Sequence, residues 1–245
     1  MIKENSIAFF WVGDDLKIPQ YLVNSIRLVM GSEINIVQLT DMNTNRVESV
    51  SSVKRFPLSK NIMVARLEAY SSYIPETNNV LFCDADSIFI NKIVFPDGKK
   101  NIFLSPRIQN FQINYNYPEY YEEFVNKSAQ EVMPFLFGAI ATKKNQQEFF
   151  RKILRICLSL PERFHRWYGD QFALSLLIEQ GFNEFETMDT EKYLNILREP
   201  LTPKYLENAF IKGVQLITFK GPQSKAHLEQ ANNLLEYYFN KSINS

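Results

Sequence analysis

The sequence has little of what disulfide-rich, nucleic-acid-binding and membrane-spanning proteins need. Two cysteines, Cys83 and Cys157, are too few for a disulfide framework or a zinc cluster, which favours a reducing compartment. Lys plus Arg and Asp plus Glu both number 27, so no net charge attracts nucleic acid or a membrane surface. No apolar run approaches the ~20 residues of a membrane span, and the N-terminal apolar stretch is too short for a signal peptide. We therefore expect a cytoplasmic protein, with only a peripheral contact to the inner face of the membrane left open.

The apolar content indicates a packed α/β domain. Hydrophobic residues make up 45% of the 245 positions and aromatic residues 14%, which is ample for a core. A strand-like run at 6–13, a helical pattern at 18–31 and a second strand-like run at 34–39 form a β-α-β opening. Such an opening favours a parallel sheet with a right-handed crossover. We expect one α/β domain over residues 1–245, with a mixed, mainly parallel central sheet flanked by helices.

Two aspartates end an apolar strand in the segment VLFCDADSIFI, residues 80–90. Parallel sheets bind ligands at the carboxyl ends of their strands, which is where Asp84 falls. On an extended backbone, residues i and i+2 point the same way, so Asp84 and Asp86 can address one cation. Mg²⁺ and Mn²⁺ take one or two carboxylates together with substrate phosphates. The pair therefore predicts a metal-bound diphosphate.

Two protein families place aspartates in this way. Haloacid-dehalogenase-type phosphatases carry Asp-x-Asp after a strand, followed two residues later by Thr or Val, where this chain has Ile88. Their later acid motif is half met by Gly169 and Asp170, because Leu174 stands where the second acid is expected. A metal-dependent phosphatase of this kind remains the alternative enzyme class, and a non-catalytic nucleotide-sugar-binding protein is the third hypothesis.

Four segments together resemble GT-A-fold glycosyltransferases, particularly the retaining family that contains glycogenin and bacterial lipopolysaccharide galactosyl- and glucosyltransferases. The segments are FFWVGDD, the run ARLEAYSSYIPETNNVLFCDADSIFI, YGDQFALSLL and ITFKGPQSKAH, and they occur in the order that the family has. The resemblance implies a GT-A domain with a nucleotide-binding half at 1–105 and an acceptor-binding half at 106–245. The second half would include a C-terminal closing loop and helix.

The resemblance also implies a set of site residues. Asp170 and Gln171 would lie beside the donor sugar as the catalytic pair, and Asp84 and Asp86 would hold Mn²⁺ or Mg²⁺, with His227 as the candidate third ligand. The remaining nucleotide-sugar contacts would come from Val12, Gly13, Asp14, Arg66, Ala85, Lys220, Gly221 and Lys225, together with the two metal-binding aspartates. The implied activity is hexosyl transfer from a nucleotide-sugar, UDP-linked by expectation, to a glycan or glycolipid acceptor. It is expected to retain anomeric configuration, to be metal-assisted and to serve polysaccharide or lipopolysaccharide biosynthesis.

The chain departs from the family in its closing motif. The family has a histidine metal ligand where this chain has Thr218, and Lys225 stands one residue later than the family spacing. His227 is the nearby candidate for the missing nitrogen ligand, with water as the other. The residues also have plainer interpretations: Arg66 as an exposed helix arginine, Asp170 as a helix cap, and His227 as a solvated side chain. We expect residues 218–227 to close over the diphosphate.

Overall fold

The computed structural model describes residues 4–221 and 226–243, the last two by their backbone only. Within these residues seven strands form the central sheet in the order β3-β2-β1-β4-β7-β6-β8. Their bounds are β1 Asn5–Phe10, β2 Asn35–Thr40, β3 Ser52–Arg55, β4 Asn79–Cys83, β6 Ile102–Pro106, β7 Phe135–Lys143 and β8 Glu186–Thr187. Strand β7 runs antiparallel to both its neighbours, and the other four pairings are parallel. The predicted mixed, mainly parallel sheet is confirmed.

Alternation along the strands divides the core into two layers. In β1, Ile7 and Phe9 point to one face of the sheet, whereas Ala8 and Phe10 point to the other, as the two-residue period of a strand requires. All four side chains are buried, which explains why the segment reads as a continuous apolar run. A sheet that is buried on both faces needs helices on both faces.

Helices cover both faces of the central sheet. Their bounds are α1 Lys17–Met30, α2 Ile62–Ser72, α3 Ala129–Val132, α4 Gln147–Ser159, α5 Glu162–Arg166, α6 Gly169–Glu179, α7 Thr190–Tyr193, α8 Pro203–Ile211 and α9 Leu228–Ile243. Helices α1, α8 and α9 contribute to the core layer that contains Ile7 and Phe9, whereas α2, α4 and α6 contribute to the opposite layer. No helix among the described residues has the length and apolar character that crossing a membrane requires.

A smaller sheet joins the middle of the chain to its C-terminal part. Strand β5, Ser87–Phe89, follows the aspartate pair directly and runs antiparallel to β10, Leu216–Phe219. Strand β9, Asn195–Leu197, lies parallel to β10 on its other side. This sheet packs on α1, where the Ser25 hydroxyl accepts a hydrogen bond of 3.0 Å from the Phe89 amide. It brings residues 218–220 to the carboxyl end of β4.

The aromatic segment between β6 and β7 forms a separate packed unit. It is largely irregular, apart from a short 3₁₀ turn at Glu122–Phe124 and the one-turn helix α3, as its lack of a clear period indicates. Tyr121 and Phe124 are fully buried and stack 5.5 Å apart, and both meet Phe164 of α5. The segment therefore has its own small core beside the first turn of α6.

Candidate active site at the carboxyl edge of the sheet

The turn between β4 and β5 presents the two aspartates. The Asp84 amide donates to the Gly138 carbonyl of β7 at 3.0 Å, and the Asp86 carbonyl accepts from the Phe219 amide of β10 at 2.9 Å. Ala85 between them is buried. A Cβ on Gly138 would lie 2.8 Å from an Asp84 carboxylate oxygen, so this position needs glycine for the carboxylate to lie against the strand. The turn is therefore fixed on both sides by backbone hydrogen bonds.

Arg66 of α2 joins two carboxylates. Its guanidinium donates to Asp84 at 2.7 Å and pairs with Asp170 of α6. The same group lies over the ring of Phe137, 4.9 Å from its centroid, and only 15% of the arginine side chain is exposed. The interpretation of Arg66 as an ordinary exposed helix arginine is therefore wrong. A planar, forked guanidinium suits this double contact, which a lysine could not reproduce.

Asp170 is fully buried in the first turn of α6. It does not occupy the N-cap position, which belongs to Tyr168, and its second oxygen accepts a bond of 2.7 Å from the Gln171 amide. A carboxylate in the first helical turn is favoured by the helix dipole. Gly169 lets the helix begin here, because a Cβ would lie 2.2 Å from the Phe164 carbonyl oxygen. The buried charge of Asp170 is thus matched by Arg66 and the helix terminus.

Lys220 supplies the second cation. Its ammonium pairs with Asp84 and lies 3.4 Å from an oxygen of Asp86. The Thr218 hydroxyl donates to the same Asp86 oxygen, also at 3.4 Å. Burial acts to lower the pKa of Lys220, but the charges of Asp84 and Asp86 outweigh it and raise the pKa above its ordinary value. The predicted site residues Asp84, Asp86, Arg66, Lys220 and Asp170 therefore meet in one cluster.

Arg107 is a member of the site that the sequence analysis missed. Its guanidinium donates to the Gln171 side-chain oxygen at 2.6 Å and to the Met133 carbonyl at 2.8 Å. Burial lowers the pKa of Arg107 to about 10. The residue follows β6, whose carboxyl end lies at the same edge of the sheet as that of β4. A charged residue directly after a strand of this sheet is a signal by which the sequence could have identified Arg107 as a candidate site residue. Arg107 fixes the orientation of the Gln171 amide.

A substitution tests this positioning role. For the glycosyl transfer that the sequence resemblance implies, we expect Arg107→Met to lower kcat about 10-fold with little change in the KM of the expected donor, because a side-chain hydrogen bond to a charged group is worth roughly this much. The control is the double variant with Gln171→Ala, in which the two losses should not add, since both remove one contact. Full additivity in kcat, or a loss confined to the melting temperature, would leave Arg107 a purely structural residue.

Val12, the first of the three predicted base-contacting residues, lines a cavity at the same edge of the sheet. The cavity has a volume of about 450 Å³ and begins at Val12, after β1. Its other lining residues are Asp41, Met42, Asn43, Phe56, Pro57, Leu58, Ser59, Lys60, Ile62 and Ala65. Gly13 has a φ of 127° and its amide donates to Thr44 at 2.9 Å, while Asp14 is exposed to solvent. Ala65 of the cavity lining immediately precedes Arg66 in α2, so the cavity and the charged cluster share this helix.

The predicted metal site is less complete. Lys225 belongs to residues 222–225, which lie outside the described part of the chain. Its role and the closing of residues 218–227 over a diphosphate therefore stay predictions. Gly221, the last described residue before this gap, has a φ of 89°. Asp84 and Asp86 offer the oxygen ligands that Mg²⁺ and Mn²⁺ prefer, but the Lys220 ammonium contacts both. Among the described residues no three His, Cys, Asp or Glu side chains gather as a metal site would require. The side chains as placed do not fit a divalent cation, and His227 as a ligand stays a prediction.

Comparison with known proteins identifies the fold. No protein-family model and no curated protein sequence matches this chain. A glycosyltransferase involved in the glycosylation of the major capsid of PBCV-1 is similar in structure, with 11% identity, coverage of 92% of this chain and 98% of that chain, and a TM-score of 0.56. The galactosyltransferase LgtC, solved in complex with donor and acceptor sugar analogues, gives 16% identity, 95% of each chain and a TM-score of 0.56.

A third similar structure is the apo form of the glycosyltransferase GlyE of Streptococcus pneumoniae TIGR4. It has 12% identity and a TM-score of 0.55 over 98% of this chain, which spans 64% of the GlyE chain. At these identities the likeness concerns the fold. The chain has the GT-A fold that the sequence resemblance predicted, and the cluster described above lies at the carboxyl edge of its sheet.

Proposed function

We propose that this chain is a glycosyltransferase that moves a hexosyl group from a UDP-sugar to a hydroxyl group of a glycan or glycolipid, with retention of anomeric configuration. One observation carries the proposal. A cluster of carboxylates and cationic side chains stands beside a 450 Å³ cavity at the ligand-binding edge of a GT-A sheet. The cavity suits a nucleoside, and the cluster suits the diphosphate and sugar that follow it.

The chemistry of transfer requires positive charge at the leaving group. The bond between the sugar C1 and the diphosphate oxygen breaks, the acceptor oxygen bonds to C1, and the acceptor hydroxyl proton passes to the departing diphosphate. Negative charge therefore develops on the diphosphate in the transition state. Arg66 and Lys220 are already held in place by aspartates, so they can stabilise that charge without reorganising.

The other side of the cluster suits the sugar. Asp170 and Gln171 start α6, and the Gln171 side chain is oriented by Arg107. In this proposal Asp170 orients the donor sugar through its neighbours, and Gln171 lies beside the anomeric carbon. Retention is proposed because this pair resembles the Asp-Gln motif of the retaining family. Polysaccharide or lipopolysaccharide biosynthesis, in the cytoplasm or at the inner face of the membrane, is the proposed setting.

The alternative functions gain no support from the site. In a haloacid-dehalogenase-type phosphatase Asp84 would act as a nucleophile, whereas here it is paired with Arg66 and Lys220. Leu174, at the place of the second acid, is fully buried in the apolar core. A non-catalytic binding protein would need no oriented Gln171 beside the cluster.

Donor hydrolysis tests the proposal. We expect slow release of UDP from one member of a UDP-sugar panel, because transferases leak donor to water in the absence of acceptor. Gln171→Ala should slow release at least about 10-fold. The matched control is Gln147→Ala at the start of α4, which should release UDP at the wild-type rate.

The panel is run with EDTA, with Mn²⁺ and with Mg²⁺. Release of inorganic phosphate from p-nitrophenyl phosphate in place of UDP would favour the phosphatase. Binding of UDP-sugars with no turnover in any arm, acceptor mixtures included, would favour the binding protein.

A further inference from the structure

The position of Lys220 is fixed by the backbone of the smaller sheet. Thr218 lies opposite Ser87 in the antiparallel pairing, and the Phe219 amide donates to the Asp86 carbonyl at 2.9 Å. Residues two apart on an extended chain point the same way, so Lys220 follows Thr218 toward the aspartates. The ammonium therefore reaches the two carboxylates because of strand register.

The contacts of Lys220 are those a metal ion would make. It pairs with Asp84 and approaches Asp86 at 3.4 Å, the two carboxylates predicted to hold the cation. An ammonium has three N–H donors, so contact with two carboxylates leaves a third for a phosphate oxygen. About 35% of the Lys220 side chain is exposed, which keeps it accessible to a ligand.

The surroundings of the pair oppose a divalent cation. At the position facing Asp86, Thr218 donates its hydroxyl proton to the carboxylate, so this oxygen already accepts a hydrogen bond. In the described residues no third acidic, histidine or cysteine side chain completes a metal-binding group. A divalent ion between the carboxylates would also meet the positive charge of Lys220 at contact distance, where repulsion is strongest.

We propose that Lys220 takes the place of the divalent metal, so that the donor diphosphate binds to the ammonium of Lys220 and the guanidinium of Arg66 without Mn²⁺ or Mg²⁺. The inference rests on the proposed function and specifies how the donor is held. Asp84 and Asp86 then act as positioning residues for a cation that belongs to the chain. A lysine carries one charge where Mn²⁺ carries two, and Arg66 provides the second.

Calorimetric titration of UDP, in EDTA and in Mn²⁺, tests the proposal on the whole chain. We expect the wild-type affinity to differ less than about 3-fold between the two conditions, because no charge is supplied by the metal. Lys220→Met should weaken UDP binding in EDTA about 10- to 100-fold, the range of a charge-assisted hydrogen bond. Lys220→Arg should keep most of the affinity in EDTA, since it preserves the charge.

The matched control is Lys54→Met. Lys54 has the same 35% exposure and pairs with Glu76 at 2.7 Å, but it lies on β3 away from the cluster. Its substitution should leave UDP binding unchanged. Partial recovery of the Lys220→Met variant by Mn²⁺ would support the proposal further, because the ammonium would no longer repel a cation from the two carboxylates.

Three results would contradict the proposal, and they show whether the role of Lys220 fails alone or together with the proposed function. Wild-type binding of UDP that appears only with Mn²⁺ or Mg²⁺ would overturn the role of Lys220 and leave the proposed transferase in place. Equal affinity of wild type and Lys220→Met in EDTA would also overturn it. No binding of UDP or of any UDP-sugar in either condition would overturn this inference and the proposed function together.

Discussion

Arg66→Ala is expected to abolish measurable donor turnover and to destabilise the fold. The substitution removes the group that pairs with Asp84 and with the fully buried Asp170. An unpaired buried carboxylate costs about 3–5 kcal/mol when its partner is deleted. Loss of a preorganised cation at the leaving group lowers turnover at least about 100-fold. Both effects come from one guanidinium, because it bridges Asp84 and Asp170, on the sides of the site proposed for the diphosphate and for the sugar.

Chemical denaturation and UDP-release kinetics measure the two effects. Arg66→Lys should restore part of the stability but little of the turnover, because an ammonium cannot hold two carboxylates with a planar fork. The control is Arg155→Ala on α4, where a surface pair with Glu148 at 3.4 Å should contribute under about 1 kcal/mol. A stable Arg66→Ala variant with wild-type turnover would place this arginine outside the machinery.

The second large effect is expected for Asp84→Asn. Asp84 holds both Arg66 and Lys220, so a neutral amide leaves the two cations without their common anchor. We expect kcat to fall about 100-fold, because stabilisation of the leaving group depends on cations held in position. UDP affinity in EDTA should stay within about 3-fold of the wild type, since removing a carboxylate also removes repulsion toward the diphosphate.

The contrast between kcat and affinity is the informative readout. A metal-ligand role for Asp84 would show the reverse: UDP binding would depend on Mn²⁺ in the wild type, and Asp84→Asn would lose that dependence. The matched control is Asp97→Asn, whose carboxylate pairs with Lys143 at 2.6 Å but is almost fully exposed. It should change neither kcat nor UDP affinity.

Local sequence patterns predicted the parts of the fold that local physics determines. The run NVLFC is β4, and the helix that begins near residue 18 ends at Met30, with Gly31 at the C-cap as expected. Apolar periodicity and a terminal glycine are enough for such elements. Strand β3 was not predicted, because three of its four residues are only partly buried, Arg55 is exposed, and the segment forms a strand through pairing with β2.

The site residues also divide into those that the local sequence indicates and those that only long-range contacts bring into the site. The Asp84–Asp86 pair was visible because two acids ending an apolar strand are unusual. The sequence could not show that Lys220, 136 positions from Asp84, would pair with these two carboxylates, because that contact depends on the register of β5 with β10. Arg107 was missed for a similar reason, since its partner Gln171 lies 64 positions away.

The pairing of β5 with β10 bears on how this chain could be rearranged in evolution or by design. A cut after residue 105 would separate β5 from β10, leaving the Asp84–Asp86 turn without Lys220 and without the hydrogen bond from Phe219. A first half expressed alone would keep the pair of Arg66 with Asp84 but would lack the ammonium of Lys220 where the donor diphosphate is proposed to bind. The proposed donor site therefore cannot be transferred as the first half alone, and grafts and chimaeras must exchange residues 79–90 and 214–221 together.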